Sequence, residues 1–384
     1  MTVLGNARVV TPDAVVEGWL RIDGDRIAEV GAGTPPPAGD EVVNAGGAYL
    51  LPGFIDLHTH GGGGASMTSG DRDDILAALA YHRTQGTTRS MVSTVTAPVE
   101  TLERACRTVA ELVADPGHGF QVAGTHLEGP FLSEARCGAQ SPEHLLPPDP
   151  AVLDRLVAAG DGTVRMVTIA PELPGGVELV KQAVAAGLVA AVGHTDATYD
   201  QAAAGIEAGA TVATHLFNGM RPLHHREPGP VGAALSHPEV VCEVVNDGVH
   251  LHGAVVKTVF AAAGSERVAL ITDAMQAAGY ADGLYPLGPQ QVEVTDGVAR
   301  LVSNGAIAGS TLSMGGAVRR AAGVLGLPLV AVARAAATVP ARVLGLAGKT
   351  GALVPGAAAD VVALDEDYAV RAVMVAGRWV HGAV

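Results

Sequence analysis

Cysteine is scarce: Cys106, Cys137 and Cys242 are an odd and widely spaced set in 384 residues. That argues against a disulfide framework and for a reducing compartment. Basic charge is also sparse, with 24 Lys and Arg against 39 Asp and Glu and a formal net charge of -15. A general nucleic-acid binder is excluded, because duplex affinity comes from Lys and Arg neutralising phosphates; an anionic ligand has to be met by a local patch. Long hydrophobic runs are missing, although the mean hydropathy is +0.30. The apolar run after Arg320 is broken by Pro328 and ends at Arg334, short of the roughly 20 residues that a membrane span needs. The chain opens Met1-Thr2-Val3-Leu4 with no basic stretch leading into an apolar core. No secretory signal is therefore expected, and the expected setting is cytoplasmic.

What is present is the composition of a folded globular protein, 48% hydrophobic and 16% charged. At roughly 100 to 200 residues per domain the length suggests two or three domains, and an α/β barrel can use about 250 residues as one. The first fifty residues alternate β-branched runs with turns: Ala7 to Val10, Gly18 to Ile22, the Asp23-Gly24-Asp25 turn, then Arg26 to Val30, followed by a stiff loop at Thr34-Pro35-Pro36-Pro37. Asp-Gly between such runs is a hairpin cue. The last residues repeat the pattern, with Asp360 to Leu364, Val373 to Val375, the Ala376-Gly377 turn and Arg378 to Val380. Neither end has enough strands to close a core. Residues 1–52 and 345–384 are therefore expected to form one small β-sandwich domain built from both termini.

Residues 53–344 read differently, as apolar runs separated by alanine-rich helical stretches such as Asp73 to His82, Leu102 to Val113 and Ala197 to Ala208. Such alternation means a parallel sheet. Eight candidate strands are visible: Gly53 to His58, Thr88 to Val95, Gln121 to Glu128, Val164 to Ala170, Leu188 to His194, Thr211 to His215, Val240 to Asn246 and Val268 to Asp273. Eight is the number of a (β/α)8 TIM-type barrel. Periodicity alone is equally compatible with a doubly wound open sheet, so the strand ends carry the decision. They read His58-Thr59-His60, Glu128, His194, His215 and Asp273. In each case the polar group sits at a carboxyl end, where barrel enzymes build their sites.

A lone His-x-His pair is a weak signal, but five strands aiming donors at one rim are a strong one. His58 and His60 leave an extended segment from the same face and can share an ion, and Gly61 to Gly64 let backbone come close to a ligand. Imidazoles with a carboxylate suit Zn2+, Fe2+, Co2+ or Mn2+, and an ion with an open position lowers the pKa of bound water toward about 7. Two ions fit this set, with Glu128 between His58 and His60 on one side and His194 and His215 on the other. Asp273, beside the cations, stays ionised and is the candidate general acid/base.

The barrel with a split β-domain and the segment Pro52-Gly53-Phe54-Ile55-Asp56-Leu57-His58-Thr59-His60 resemble the amidohydrolase superfamily. Further motifs narrow the resemblance to the N-acetylglucosamine-6-phosphate deacetylases: His126-Leu127-Glu128-Gly129-Pro130-Phe131, Gly193-His194-Thr195, Thr214-His215-Leu216-Phe217-Asn218-Gly219-Met220, Arg226-Glu227-Pro228-Gly229, Asp247-Gly248-Val249-His250, Thr272-Asp273-Ala274 and Ala308-Gly309-Ser310-Thr311. They follow the family's order over most of the chain.

The resemblance implies a metal at Glu128, His194 and His215, with Asp273 as acid/base. Some members replace the first-strand pair by Gln and Asn and hold one ion; here both are histidine, which implies two divalent ions, Zn2+ foremost. It implies that Asn218, the Gly219 backbone, Arg226 and His250 bind a sugar phosphate, with Arg226 reaching the neighbouring site of a homodimer. It also implies that Ala139, Gln140, Ile307, Ala308 and Gly309 contact substrate, although some members carry His where this chain has Gln140. Many relatives bridge two ions with a carbamylated lysine at strand four, but Val164 to Ala170 contains none, and the only lysines are Lys181, Lys257 and Lys349. Glu128 is left as the bridge.

Independently of any resemblance, Arg221-Pro222-Leu223-His224-His225-Arg226 concentrates basic groups in an acidic chain, and arginine suits phosphate. His82, His118, His237 and His381 are expected to be solvated, His126 to support the site or the core, and Cys137 to lie in a lid loop without a catalytic role. The expected reaction is deacetylation of N-acetylglucosamine 6-phosphate. The alternatives are another N-acyl deacylase of the superfamily, such as one acting on N-acyl amino acids, or an inactive scaffold.

Overall fold

The computed structural model describes residues 1–35, 41–117 and 121–384. Pro36 and Pro37 of the expected stiff loop and His118 lie outside them. All eight expected strands are present as one parallel sheet, in chain order: Phe54–Asp56, Thr87–Thr94, Val122–Glu128, Val164–Ile169, Val189–Val192, Val212–Ala213, Val241–Val245 and Val268–Ile271. The edge strands meet at their carboxyl ends, where the Asp273 amide donates to the His58 carbonyl at 2.8 Å and Thr59 bridges Ala274. The sheet is thus a barrel, and the open doubly wound alternative is excluded. The helices between strands form for ordinary reasons. Val99–Ala114 buries Leu102, Ala105, Cys106, Val109 and Leu112, one stripe of a 3.6-residue period. Tyr199–Glu207 starts at Thr198, whose hydroxyl accepts from the Gln201 amide in a capping box.

Most strands stop earlier than the sequence suggests: His58, His194, His215 and Asp273 lie two positions beyond their strands and His60 four, whereas Glu128 is the last residue of its strand. Three of them pay a conformational cost there. His194, His215 and Asp273 have φ of 45°, 30° and 49°, a region costing of order 1–3 kcal/mol for a residue with a side chain. Gly193, at the base of this turn, has a different constraint. A Cβ on it would lie 2.6 Å from Thr214 Cβ and 2.9 Å from Thr168 Cγ2 inside the barrel.

Both termini build one sheet, as expected, in the order Arg378–His381, Val370–Val375, Val361–Leu364, Tyr49–Pro52, Thr2–Val10, Val15–Asp23 and Arg26–Ala32, with Glu41–Asn44 also paired to Thr2–Val10. The Val361–Leu364 strand runs antiparallel to Tyr49–Pro52, which joins the two ends of the chain. Its core draws Leu4, Val9, Leu20 and Leu50 from one end and Val361 and Met374 from the other. Both expected turns are made, with positive φ at Gly24 and at Ala376-Gly377. The described residues divide into two compact units, Met1–Asp56 with Ala80–Arg89 and Ser313–Val384, and Leu57–Leu79 with Ser90–Leu312.

Two features depart from the expectation. A three-stranded antiparallel sheet, Gly283–Leu287, Gln290–Thr295 and Val298–Leu301, follows the eighth barrel strand. Its second turn is Asp296-Gly297, both at positive φ, the cue read at Asp23-Gly24 but not here. His82 is not solvated: it shares the buried face of helix Arg72–Thr84 with Ile75, Ala78 and Leu79, at the i, i+3, i+4, i+7 spacing of an apolar stripe. His237 and His381 are half-buried.

The contact at Gly193 yields a test. Gly193→Ala is expected to destabilise the protein by about 1–3 kcal/mol through overpacking, seen as a lower thermal midpoint. An unchanged midpoint would mean that the threonines yield without cost.

Candidate metal centre

Four imidazoles and two carboxylates converge where the barrel strands end. They form two groups whose ligand atoms lie within 4.8 Å of one another: His58, His60 and Asp273, and Glu128, His194 and His215. Glu128 stands between them. Its Oε1 is 2.9 Å from His215 Nε2, 3.0 Å from His194 Nε2 and 3.4 Å from His58 Nε2, and its Oε2 is 3.3 Å from His60 Nε2. Asp273 Oδ1 lies 3.3 Å from His60 Nε2 and 3.7 Å from His58 Nε2. Ligands at about 2.0–2.1 Å around one tetrahedral ion stand about 3.3 Å apart, which is the spacing seen here.

The outer ring nitrogens agree with that reading. Nδ1 of His194 is 2.9 Å from the Arg136 carbonyl, Nδ1 of His60 is 3.2 Å from the Ser93 carbonyl, and Nδ1 of His58 is 3.2 Å from Glu243 Oε2. A carbonyl or carboxylate fixes the proton on Nδ1 and leaves Nε2 bare and turned inward, the tautomer that a metal ligand needs. The donor set therefore fits a divalent cation.

Electrostatics show the same demand for positive charge. Burial lowers His60, but hydrogen bonds with Asp273 and Glu128 outweigh it and push the imidazole up to about 9. His58 and His194 are also raised, chiefly by Glu128 acting against burial. Burial raises Glu128 and Asp273, but the surrounding imidazoles hold both well below the usual carboxylate range. His126, fully buried, is pushed far down by burial and by the charge of its neighbours. It bonds Ser93 Oγ at 3.0 Å and Thr168 Oγ1 at 2.9 Å and stands edge-on to His58, so it packs and supports the site at once.

A cavity of about 250 Å³ opens onto these groups. Of the residues expected in the site, His60, Glu128, His194, His215 and Asp273 line it, with Ala139, Gln140, Asn218, Gly219, His250, Ile307 and Gly309 on its walls. His58 and Ala308 are wholly buried and not on the lining. Arg226 is exposed, 2.8 Å from His225 Nε2, and does not line the cavity of its own chain. Gln140 donates to Glu128 Oε2 at 2.6 Å and accepts from the Thr96 amide. His250 is fixed by Asp247 at 2.6 Å, and that bond with the nearby carboxylates raises it against burial. Gly219 has φ +57°, and a Cβ there would crowd His194 Nδ1 at 2.9 Å.

The segment after Glu128, expected as a lid, is tied down by the Ser133 amide on the His194 carbonyl, by Gln140, and by Arg136 paired with Asp196 at 2.8 Å. Cys137 there is half-buried, and burial raises its thiol. The sequence reading missed Glu243 and the Leu287 wall of the cavity. The signal for Glu243 was available, since a carboxylate inside the apolar run Val241-Cys242-Glu243-Val244-Val245 must be paired when buried.

The chain belongs to the amidohydrolase family, whose model matches residues 49–380. Among the members of that family it is similar to enzymes acting on amino-sugar phosphates. An N-acetylgalactosamine-6-phosphate deacetylase of Escherichia coli O157:H7 is 39% identical over 94% of this chain and 96% of its own length. An N-acetylglucosamine-6-phosphate deacetylase of Vibrio furnissii is 36% identical over 89% and 86%. A solved structure of the N-acetyl-D-glucosamine-6-phosphate deacetylase of Mycobacterium smegmatis, a variant in complex with N-acetyl-D-glucosamine-6-phosphate, is 46% identical with a TM-score of 0.94 and covers 99% of both chains. The chain is a metal-dependent amide hydrolase.

In the metal-free protein the raised imidazoles carry protons that an ion has to displace. The apparent affinity for Zn2+ is therefore expected to rise with pH up to about 9, where His60 loses its proton, with proton release on binding below that pH, read by calorimetry in two buffers of different ionisation enthalpy. A pH-independent affinity without proton release would exclude these histidines as ligands.

Proposed function

We propose that this protein hydrolyses N-acetyl-D-glucosamine 6-phosphate to D-glucosamine 6-phosphate and acetate in amino-sugar catabolism. The carrying observation is the cavity that His60, Glu128, His194, His215 and Asp273 face and whose walls include Ala139, Gln140, Asn218, Gly219, His250, Ile307 and Gly309, which the family resemblance assigns to substrate. The Mycobacterium smegmatis relative, with that sugar phosphate in its complex, supports the choice. All assigned site residues fall between 53 and 344, so the reading divides the chain into this catalytic barrel and a β-domain of 1–52 and 345–384 without chemistry of its own.

In this reading Glu128, His194 and His215 hold one divalent ion and His58 and His60 a second, with Glu128 shared and Zn2+ the preferred metal. When bound, such ions polarise an amide carbonyl and make water more acidic. Asp273 faces the cavity as a carboxylate, since its imidazole neighbours outweigh burial. It accepts a proton from the attacking water at a carboxylate oxygen and delivers it to the departing amine nitrogen. His250, fixed by Asp247, and Asn218, anchored on the His215 carbonyl at 3.1 Å, orient the sugar. Gly219 with Ala139, Gln140, Ile307 and Gly309 forms the contact surface, while Ala308, buried between Ile307 and Gly309 in the chain, stays off the lining. Arg226, exposed in its own chain, meets the phosphate in the site of a partner copy in a homodimer. The setting of the reaction is the cytoplasm.

One observation favours a second reading. The Escherichia coli relative acts on the galactosamine epimer, so the two N-acetylhexosamine 6-phosphates are rival substrates. Acetate release measured on both, with metal content determined in the same preparations, tests the assignment. Comparable rates on N-acyl amino acids and negligible rates on both sugar phosphates would overturn it.

Two variants test the roles. Asp273→Asn is expected to retain metal and substrate binding while kcat falls about 10²- to 10⁴-fold; near-normal kcat removes Asp273 from proton transfer. Arg226→Ala is expected to raise KM far more for the sugar phosphate than for free N-acetylglucosamine, and an equal effect on both would show that Arg226 does not meet the phosphate.

A further inference from the structure

The seventh barrel strand, Val241-Cys242-Glu243-Val244-Val245, is buried at every position, and Glu243 has no part in the reaction described above. A carboxylate in an apolar strand is costly unless paired, so its partners indicate what it is for. Its Oε2 lies 3.2 Å from His58 Nδ1 and accepts from the His215 amide, also at 3.2 Å. Its other oxygen, Oε1, is buried and has no hydrogen-bond partner among the described residues. A single oxygen thus spans the two ligand groups, because His58 belongs to one and His215 to the other.

We propose that Glu243 is a positioning residue of the metal centre, keeping the His58 proton on Nδ1 and its Nε2 directed at the ion. This inference rests on the two-ion reading above. The other anchors differ in kind. His60 and His194 are held through Nδ1 by the backbone carbonyls of Ser93 and Arg136, which remain whatever side chain stands there. Among these three imidazoles His58 alone takes its orientation from a side chain, and from a charged one. A negative charge behind Nδ1 also makes Nε2 a better donor to a cation. Loss of Glu243 therefore weakens the His58–His60 position more than the Glu128–His194–His215 position, because it removes the partner of the His58 ring itself but only a backbone-amide acceptor at His215.

The test uses Co2+ as the probe. The full chain is stripped with chelator, and wild type, Glu243→Gln and Glu243→Ala are titrated while ion stoichiometry, affinity and visible absorption are followed. Wild type is expected to take two Co2+ per chain. Both variants are expected to keep the tight position. Affinity for the second ion falls about 10-fold in the glutamine variant, which still accepts a hydrogen bond, and nearer 100-fold in the alanine variant. The Co2+ concentration giving half-maximal activity rises in step, while kcat at saturating Co2+ returns toward wild type, a pattern that a merely structural defect would not produce. Two Co2+ bound by Glu243→Ala with wild-type affinity would overturn the proposal and leave the two-ion reading standing. A single Co2+ in wild type would remove that reading, and the proposal with it. If the alanine variant does not fold, the glutamine variant decides alone, with unchanged affinity counting against the proposal.

Discussion

The approach of Glu128 to four imidazole Nε2 atoms is the interaction on which the rest of the catalytic unit depends. Its two oxygens lie within 3.4 Å of all four, although the side chain is almost wholly buried. Desolvating a carboxylate costs several kcal/mol, and among the described residues no arginine or lysine pairs with it. Protonated imidazoles or a cation must do so, and the inward-facing bare Nε2 atoms are arranged for a cation. Asp273 and Glu243 add two more buried carboxylates to the same cluster, which deepens the demand for positive charge. The acidity of the chain as a whole and the chemistry of its centre are separate matters: the first keeps nucleic acid away, the second binds metal.

Holding such a cluster requires a backbone that does not relax. His194, His215 and Asp273 sit at left-handed φ, each against its own preference. Hydrogen bonds fix them from outside: the Ser133 amide on the His194 carbonyl, the His215 amide on Glu243, and the Asp273 amide on the His58 carbonyl. The last of these also closes the barrel, so fold closure and site geometry share one bond. Gly193 and Gly219 sit where a side chain would collide with Thr214 and with His194, so the ligand-bearing turns can pack this closely only with glycine there. The apolar layers around the strands, with Leu127, Val167, Ile169 and Val192 in one buried cluster, supply the stability that this strain consumes.

Much of this was legible in the chain. Alternating apolar runs and alanine-rich stretches located all eight barrel strands, because burial on both faces of a parallel sheet leaves an almost unbroken apolar signature. Polar residues at the ends of those runs stood out against it, which is why Asp273 and the five expected metal residues were singled out, and the structure gathers them into two groups. Three features were missed for different reasons. Glu243 was overlooked inside an apolar strand, where only its three-dimensional partners show what it does. The sheet from Gly283 to Leu301 was passed over because its alternation is short and the turn cue at Asp296-Gly297 went unread. His82 was assigned to solvent on polarity alone, although helix spacing places it with Ile75, Ala78 and Leu79.

The sequence by itself determined which groups exist and on which element each one sits: the two histidines of one extended segment, a carboxylate or imidazole at each of four further strand ends, and β-rich termini that need one another to complete a sheet. Those are local facts, set by side-chain chemistry and by periodicities of two and 3.6 residues. Only the tertiary structure decided that Glu128 falls between the two groups, that Nδ1 of His58, His60 and His194 each finds the acceptor that frees its Nε2, and that Arg226 stays outside its own cavity. The contacts concerned join residues 33 to 185 positions apart, and no local preference fixes a distance between atoms so far separated along the chain.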